Sequence, residues 1–381
     1  MNGPEWDAVR TRIAMLGREP DATDIADALR WCGHVVSDSS VLAVAEALRR
    51  DSVGAGPLEP LLAHPGVTDV LVNGPRDVYV DTGDGLRTVP VHFDSDEDVR
   101  RLAVRLAASV GRRLDDASPF VDARMADGTR VHAILGSLTD AGTCLSLRIP
   151  ARSRLSLDDW VASGACHLEV ADVLRRMIDA KVAFLVSGGT GSGKTTLLGS
   201  LLALVPRNER ILIVEDSREL DPGHAHCVRL EGRVANAEGA GAVTMTQLVR
   251  QALRMRPDRI VVGEVRGAEL VDLLIALNTG HEGGCGTVHA NTAETVPVRL
   301  ESLAALGGLG REAAHSQMAA AVRAVVHVAR EGARRRVCGV GVLTRGPDGY
   351  VRTLRALEVT PDGRLRRHAG ADDLATVLGA T

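Results

Sequence analysis

Gly188-Gly189-Thr190-Gly191-Ser192-Gly193-Lys194-Thr195 is the stretch that decides the fold. It matches the phosphate-binding pattern G-x-x-x-x-G-K-[ST] at each fixed position. The apolar run 182–186 predicts a buried strand before it, and residues 196–205 predict a helix that ends at Pro206. A strand, a glycine loop and a helix N-terminus together point backbone N–H groups at phosphate oxygens. This context disfavours the alternative, a glycine-rich turn without a ligand.

The residues of this loop predict distinct contacts with a bound nucleotide. Glycines allow the backbone to wrap closely around an anion, where a Cβ would collide with it. Lys194 is expected to reach the β- and γ-phosphates, and the Thr195 hydroxyl is expected to ligate Mg²⁺. We therefore expect ATP and Mg²⁺ as cofactors, with residues 188–195 and Thr196 forming the nucleotide-binding site.

Composition narrows the class of protein. A chain of 381 residues is long enough for two domains. The formal net charge of −4 gives no global attraction to DNA or to an anionic membrane. Three Trp, two Tyr and three Phe provide little material for stacking bases, which weighs against a single-strand nucleic-acid binder. No apolar run approaches the length of a transmembrane helix, and the first residues do not resemble a signal peptide.

The pattern along the chain predicts four regions. Residues 1–50 indicate a helical segment, most clearly from Ser40 to Arg50, and residues 52–150 indicate an α+β domain. Its predicted strands lie near 67–72, 78–80, 121–125, 130–135 and 143–149, with a helix after Ser95 that ends at Gly111. Residues 150–156 are typical of a linker. An α/β domain is expected over 157–345, followed by a C-terminal strand and tail over 346–381.

Within the second domain, polar residues follow apolar strands. The run 210–214 ends at Glu215, the run 259–263 ends at Glu264, and the run 287–290 contains His289. Alternating apolar strands and helices indicate a parallel sheet, in which ligands bind at the carboxyl ends of the strands. One site is therefore expected to collect these residues beside the phosphate loop. Residues 157–179 are predicted as helix, 292–329 as two or three helices, 337–343 and 350–360 as a strand pair, and 373–378 as a short helix.

Three of these residues are candidates for catalysis. Hydrolysis of a nucleotide needs a group that orients the attacking water, and Glu264 is the best candidate, acting directly or through the Mg²⁺ shell. Glu215 is the next candidate. His289 could sense or bind the γ-phosphate. The alternatives are solvated loop acids for the two glutamates and a bystander for the histidine.

Taken together, the motifs resemble the traffic ATPases of type II and type IV secretion. The closest branch is the tight-adherence (Flp) pilus assembly ATPases and their conjugal-transfer-associated relatives. The stretches that carry the resemblance cover about residues 50–345, and those of the second half include the phosphate loop, 214–216, 253–258, 260–267, 278–284 and 287–291. The stretches of the first half are 56–62, 67–74, 121–124 and 127–130.

The resemblance implies a RecA-like P-loop ATPase domain after a smaller N-terminal domain, and a homo-oligomer of six subunits. It identifies the phosphate loop as Walker A, the strand that ends at Glu264 as Walker B, Glu215-Asp216 as the Asp box, and residues 281–289 as the His box. Arginines of the N-terminal domain complete the nucleotide site in such enzymes; by motif position these are Arg124, Arg130 and Arg148. The alternative for them is salt bridges on a strand surface.

The function implied is an ATP-hydrolysing motor that drives pilin or substrate movement through a polytopic inner-membrane platform protein. Such a motor is cytoplasmic and peripherally associated with the inner face of the cell membrane. A RecA-like nucleic-acid motor and a regulatory nucleotide-binding module with little turnover are the alternatives. The sequence departs from some relatives in its short first 50 residues and in lacking a four-cysteine metal module, so we expect no zinc.

Overall fold

The computed structural model describes residues 8–9, 11–13, 15–16, 20–52, 54–83, 85–150, 154–233, 235, 240–332 and 334–379. The chain divides into two compact units, Met1–Pro150 and Ala151–Thr381. Of the linker expected at 150–156, residues 151–153 lie outside the described residues.

The first unit begins with a small helical core. Its helices with described bounds are Ala22–Trp31 and Asp38–Ser52, so the helix predicted from Ser40 begins two residues earlier. The Asp21 carboxylate accepts hydrogen bonds from Thr23 N and Asp24 N, which satisfies the first turn of the Ala22–Trp31 helix. The buried apolar residues of this core are Val9, Ile13, Ile25, Ala28, Leu29 and Val44.

The rest of the first unit is an antiparallel sheet covered by a helix. The strands are β1 Asp69–Asn73, β2 Asp77–Asp81, β3 Leu86–Thr88, β4 Phe120–Arg124, β5 Arg130–Ile134 and β6 Cys144–Arg148, in the order β3-β2-β1-β6-β5-β4. A 3₁₀ turn, Gly56–Leu58, and a short helix, Glu59–Ala63, precede the sheet. The helix Asp96–Ser109 buries Val99, Leu102 and Leu106 in the core of this unit. The strands and the helix predicted for this region are confirmed.

The second unit is built on a nine-stranded sheet. Its strands are β7 Phe184–Gly188, β8 Ile211–Glu215, β9 Cys227–Glu231, β10 Arg259–Val265, β11 Cys285–His289, β12 Ala324–Glu331, β13 Arg334–Arg345, β14 Val351–Val359 and β15 Leu365–Arg367. Their order is β15-β14-β13-β12-β7-β11-β10-β8-β9. Neighbouring strands from β12 to β9 in this order are parallel, and β13, β14 and β15 are antiparallel additions. The predicted RecA-like parallel sheet is confirmed.

Helices cover both faces of this sheet. Alternate residues of the strands face opposite sides, so Phe184 and Ile213 join one core and Leu185 and Val214 join the other. The first core contains the helices Leu157–Ala162, Leu168–Asp179, Lys194–Leu202 and Ala371–Val377. The second contains the helices Met245–Ala252, Glu269–Asn278, Val296–Leu306 and Arg311–Ala321. Among the described residues, no helix has the length and apolar character that crossing a membrane requires.

Three details of the second unit differ from the sequence-based expectation. Residues 324–331 form β12, although 292–329 was predicted as helices only. The two edge strands, β9 and β15, were not predicted at all. The helix predicted over 157–179 is two helices, because the chain turns at Gly164, whose φ of +72° is unfavourable for other residues.

Candidate functional site

The phosphate loop lies at the centre of the large sheet. It follows β7, which has β11 on one side and β12 on the other. Gly193 occupies the N-cap of the helix Lys194–Leu202 with φ +95°, a conformation that a side chain would strain. Because this N-cap has no side chain, the first-turn N–H groups are left for a ligand, as in an anion site at a helix N-terminus.

Lys194 lies inside the loop rather than in solvent. Its side chain is 7% exposed, and Nζ donates a hydrogen bond to the carbonyl oxygen of Gly189 at 2.8 Å. Nζ is also 3.4 Å from His289 Nδ1. Burial lowers the pKa of Lys194, and the charge of Arg266 lowers it further against the opposing charge of Glu264. The partners of the ammonium are therefore the Gly189 carbonyl and the His289 imidazole. Phosphate oxygens of a bound nucleotide would take their place.

His289 joins Lys194 to Glu264. Its Nε2 is 2.7 Å from Glu264 Oε1, on the neighbouring strand β10. An ammonium can only donate and a carboxylate can only accept, so Nδ1 is the accepting nitrogen and Nε2 carries the proton. Burial lowers the pKa of His289, and the Lys194 charge lowers it further, which favours this neutral form. The predicted meeting of the phosphate loop, His289 and Glu264 is observed.

Glu264 has a second partner that the sequence did not single out. Arg266 Nη2 donates to Glu264 Oε2 at 2.5 Å. Burial alone would raise the pKa of Glu264, but the hydrogen bond and charge of Arg266, with the charges of His289 and Lys194, hold it below its ordinary value. The carboxylate is therefore ionised, and each of its two oxygens has a side-chain partner. Arg266 lies two residues after Glu264, just past the end of β10 and within the stretch 260–267 that carries the family resemblance.

Glu215, the next candidate for catalysis, is buried at the end of β8. Its side chain is 4% exposed, and Oε1 accepts hydrogen bonds from the N–H groups of Glu219 and Leu220. Oε2 is buried with no hydrogen-bond partner among the described residues. A Cβ at Gly263 would lie 2.4 Å from Glu215 Cγ, so the glycine of β10 makes room for this side chain. Burial raises the pKa of Glu215 to about 7, against the two backbone hydrogen bonds.

The three arginines of the first unit form one row. In the register of the antiparallel sheet Arg124 pairs with Arg130, and Arg130 pairs with Arg148. Paired residues of antiparallel strands share a face, and the buried residues Val131 and Leu147 alternate with the arginines on the opposite face. The row therefore lies on the side of the sheet away from the core of that unit.

The residues expected to hold Mg²⁺ have suitable donor atoms. Magnesium prefers oxygen ligands, and nucleotide sites supply one or two protein oxygens together with phosphate oxygens. Thr195 provides a hydroxyl in the first turn of the helix Lys194–Leu202. Lys194 lies in the same helical turn as Thr195, and His289 connects it to the carboxylate of Glu264. This donor set fits a Mg²⁺–nucleotide complex.

Comparison with known proteins gives the family. The model of the family described as "Type II/IV secretion system protein" matches residues 51–348. The chain belongs to this family. The matched region contains the antiparallel sheet with its three arginines, the phosphate loop and the Lys194–His289–Glu264 contacts. As a family member with a complete phosphate loop, the chain is an ATPase of the type II/IV secretion class.

Two relatives of this family member cover most of its length. A Mycobacterium tuberculosis (strain H37Rv) protein, whose name assigns it provisionally to conjugal transfer, is 53% identical over 327 residues. That match covers 84% of this chain and 93% of the relative. The type IV secretion system protein PtlH of Bordetella pertussis is 32% identical over 313 residues, covering 74% of this chain and 92% of PtlH.

A solved structure shows the same fold. The ATPase DotB of Yersinia pseudotuberculosis superposes with a TM-score of 0.53 at 20% identity, covering 88% of this chain and 84% of DotB. At this level of identity the likeness shows the fold alone. It agrees with a mixed α/β chain that combines a parallel sheet with a separate antiparallel sheet.

Proposed function

We propose that this family member is the ATP-hydrolysing motor of a pilus assembly or secretion system. The observation that carries the proposal is the continuous contact from Lys194 in the phosphate loop through His289 to Glu264. This contact joins the Lys194 ammonium, a neutral imidazole and an ionised carboxylate in one hydrogen-bonded chain. Hydrolysis of a γ-phosphate needs groups of these kinds around one point.

Each residue of the site then has a role. The backbone of residues 188–195 and the side chain of Lys194 would bind the phosphates, with Thr196 in the same first helical turn. Thr195 and Glu264 would hold Mg²⁺, which supplies charge that offsets the phosphate oxygens. Glu264 would orient the attacking water. His289 would report the state of the site, because a γ-phosphate that bonds Lys194 competes with the Lys194–His289 contact.

Glu215 would position the residues around Glu264 without contacting the nucleotide. Its carboxylate holds the N–H groups of Glu219 and Leu220 and lies against Gly263, next to Glu264. We propose that it positions the end of β10 and becomes ionised in response to a bound cation, since its pKa of about 7 lies close to neutrality. A direct role in moving a proton from water remains the alternative role for this acid.

The row of arginines would complete the site. Arg124, Arg130 and Arg148 are proposed to contact the phosphates when nucleotide brings the two units of one chain, or of neighbouring chains, together. Guanidinium groups suit this role because they bind phosphate oxygens with paired hydrogen bonds. A ring of six subunits is the assembly that the family resemblance implies, and release of the arginines after hydrolysis would convert turnover into movement.

The proposed setting is the inner face of the cell membrane. There the motor would act on a polytopic platform protein and on pilus or secretion components. The names of the two relatives, which refer to conjugal transfer and to type IV secretion, support a secretion setting. The tight-adherence pilus systems are the branch that the sequence motifs favour.

The test compares Glu264→Gln and Lys194→Ala with Glu312→Gln, an exposed acid on the helix Arg311–Ala321. Glu264→Gln should keep ATP binding and lose turnover by about 10²-fold or more, because the amide cannot act as a base. Lys194→Ala should lose both, and Glu312→Gln neither. Near-normal turnover in Glu264→Gln would contradict the assigned role. Strong stimulation of turnover by DNA would favour the nucleic-acid motor instead.

A further inference from the structure

The hairpin of β12 and β13 extends past the end of the phosphate-loop strand. The parallel pairing of β12 with β7 runs from Ala324 with Phe184 to His327 with Ser187. Residues 328–331 continue beyond it, and β13 returns alongside them. Beyond the last pair with β7, the hairpin therefore projects next to the loop that follows that strand.

Two arginines of this hairpin lie against the loop. Arg330 and Arg335 are direct partners in the antiparallel register, so their side chains share a face. A Cβ built at Gly191 would lie 3.4 Å from Arg330 Nη1, and one at Gly193 would lie 3.1 Å from Arg335 Cδ. Both φ values at these glycines are positive, at +68° and +95°. The arginines thus border the loop that binds phosphate.

The charges of the hairpin are divided between its two faces. On the other face Glu331 is the register partner of Arg334, and it forms an ion pair with Arg336 at 2.7 Å. On the loop-facing side, Arg330 and Arg335 bring two positive charges to the edge of the phosphate loop. Guanidinium groups bind phosphate oxygens with paired hydrogen bonds, so this side of the loop is suited to a phosphate.

The topology identifies the part of the nucleotide that these arginines reach. His289 and Glu264 approach the loop from β11 and β10, on one side of β7, and mark the γ-phosphate end. The hairpin approaches from β12, on the other side. A nucleotide with its γ-phosphate at Glu264 therefore has its nucleoside end towards Arg330 and Arg335.

We propose that Arg330 and Arg335 bind the α-phosphate end of the nucleotide. The inference rests on the proposed ATP-binding function of the loop. It adds two positively charged side chains, beside the loop, to the groups that bind the phosphates. These are binding residues for every nucleotide that carries the α- and β-phosphates, so they contribute equally to ATP and ADP. They have no part in orienting water.

The experiment measures the dissociation constants of ATP and ADP with the full chain and with Arg330→Ala, Arg335→Ala and the double variant. Each single change should weaken both nucleotides by about tenfold to a hundredfold, the usual effect of one charge-assisted hydrogen bond. Arg334→Ala, which removes the same charge from the same strand on the other face, is the matched control and should bind as the unchanged protein does.

The outcomes separate this inference from the proposed function. If the unchanged chain binds nucleotide, Lys194→Ala loses it and Arg330→Ala and Arg335→Ala bind normally, this inference is wrong and the proposed function stands. Weaker binding of ATP alone, or an equal loss in Arg334→Ala, would also overturn it. If the unchanged chain binds neither nucleotide, the proposed function fails first. Thermal unfolding without nucleotide, unchanged in the variants, shows that the losses do not come from misfolding.

Discussion

His289 Nε2 lies 2.7 Å from Glu264 Oε1, so two residues separated by a helix in the chain meet at the ends of adjacent strands. The same imidazole faces Lys194 through Nδ1. One neutral ring therefore connects the residue that would hold the γ-phosphate with the residue that would orient water. We therefore expect the occupancy of the phosphate loop to affect the orientation of Glu264 through this ring.

This link predicts the effect of His289→Ala. Turnover should fall by about tenfold to a hundredfold, since the variant loses a hydrogen bond to a charged group, while ATP affinity should change little. Steady-state kinetics and direct binding measure the two quantities. The control is His226→Ala, in an exposed residue just before the edge strand β9. It should change neither turnover nor ATP affinity. A loss confined to affinity would contradict the link.

The contact of Arg266 with Glu264 predicts a change in the pH dependence. Arg266 is the main group that holds the pKa of Glu264 below its ordinary value, and burial would otherwise raise that pKa. A carboxylate with a lowered pKa keeps its charge as the pH falls and loses it only in more acidic solution. In Arg266→Ala the acid limb of the kcat/KM profile should therefore move to higher pH. The exposed Arg345→Ala should leave the limb in place, and an unmoved limb in Arg266→Ala would refute the assignment.

Glu215 predicts how the stability of the protein without nucleotide changes with pH. Its pKa is about 7 in the folded chain and near 4.5 ordinarily, so its contribution to stability is complete below about 4.5 and is lost as the pH rises through 7. The loss is on the order of 3 kcal/mol. Glu215→Gln cannot ionise. Its free energy of unfolding should therefore change less between pH 5, near the lower end of this range, and pH 8, above its upper end, than that of the unchanged protein does.

Urea denaturation at the two pH values measures this difference. Comparing slopes rather than absolute stabilities removes the separate effect of placing an amide in the buried position. Glu312→Gln should show the pH dependence of the unchanged protein. Identical dependence in Glu215→Gln would mean that the carboxylate is not the titrating group.

Changes in the arginine row of the first unit should lower turnover. The row consists of Arg124, Arg130 and Arg148. Replacing each with Ala should lower kcat more than it lowers ATP affinity, because such arginines act mainly on charge that develops in the transition state. An arginine that contacts the transferring phosphate contributes about 10³–10⁵ to turnover in other nucleotide hydrolases. Arg113→Ala, in an exposed arginine of the same unit that pairs with Asp115, is the control. Equal kcat in the row variants and the control would place these residues outside the site.

The part of the site that could be predicted from sequence depends on strand ends. Glu264 and His289 each follow or end an apolar run, and the carboxyl ends of parallel strands meet at one edge, so their meeting with the phosphate loop follows from topology. The burial of a side chain at a strand end does not follow from topology in this way. Glu215 also ends such a run, but its side chain turns under the next loop because Gly263 leaves space there. No sequence pattern at Glu215 itself indicates this.

The missed elements have physical reasons. The residues of β12 follow directly on a helical stretch with no glycine or proline between, and its first three positions are fully buried apolar residues. A short buried run of this kind has no periodicity that separates strand from helix. The strand β9 lies at the edge of the sheet with partly buried positions, which weakens its apolar pattern. Arg330 and Arg335 lie beside the phosphate loop only because β12 pairs with β7, and no sequence pattern indicates that pairing.

The central position of β7 has a consequence for how the protein is made. Its two neighbours in the sheet are β11 and β12, which the ribosome synthesises long after the phosphate loop itself. Pairing across such a sequence separation has to wait for the later strands. A growing chain thus carries the complete glycine motif without the flanking strands that fix its shape. We therefore expect nucleotide binding only after synthesis has passed β12.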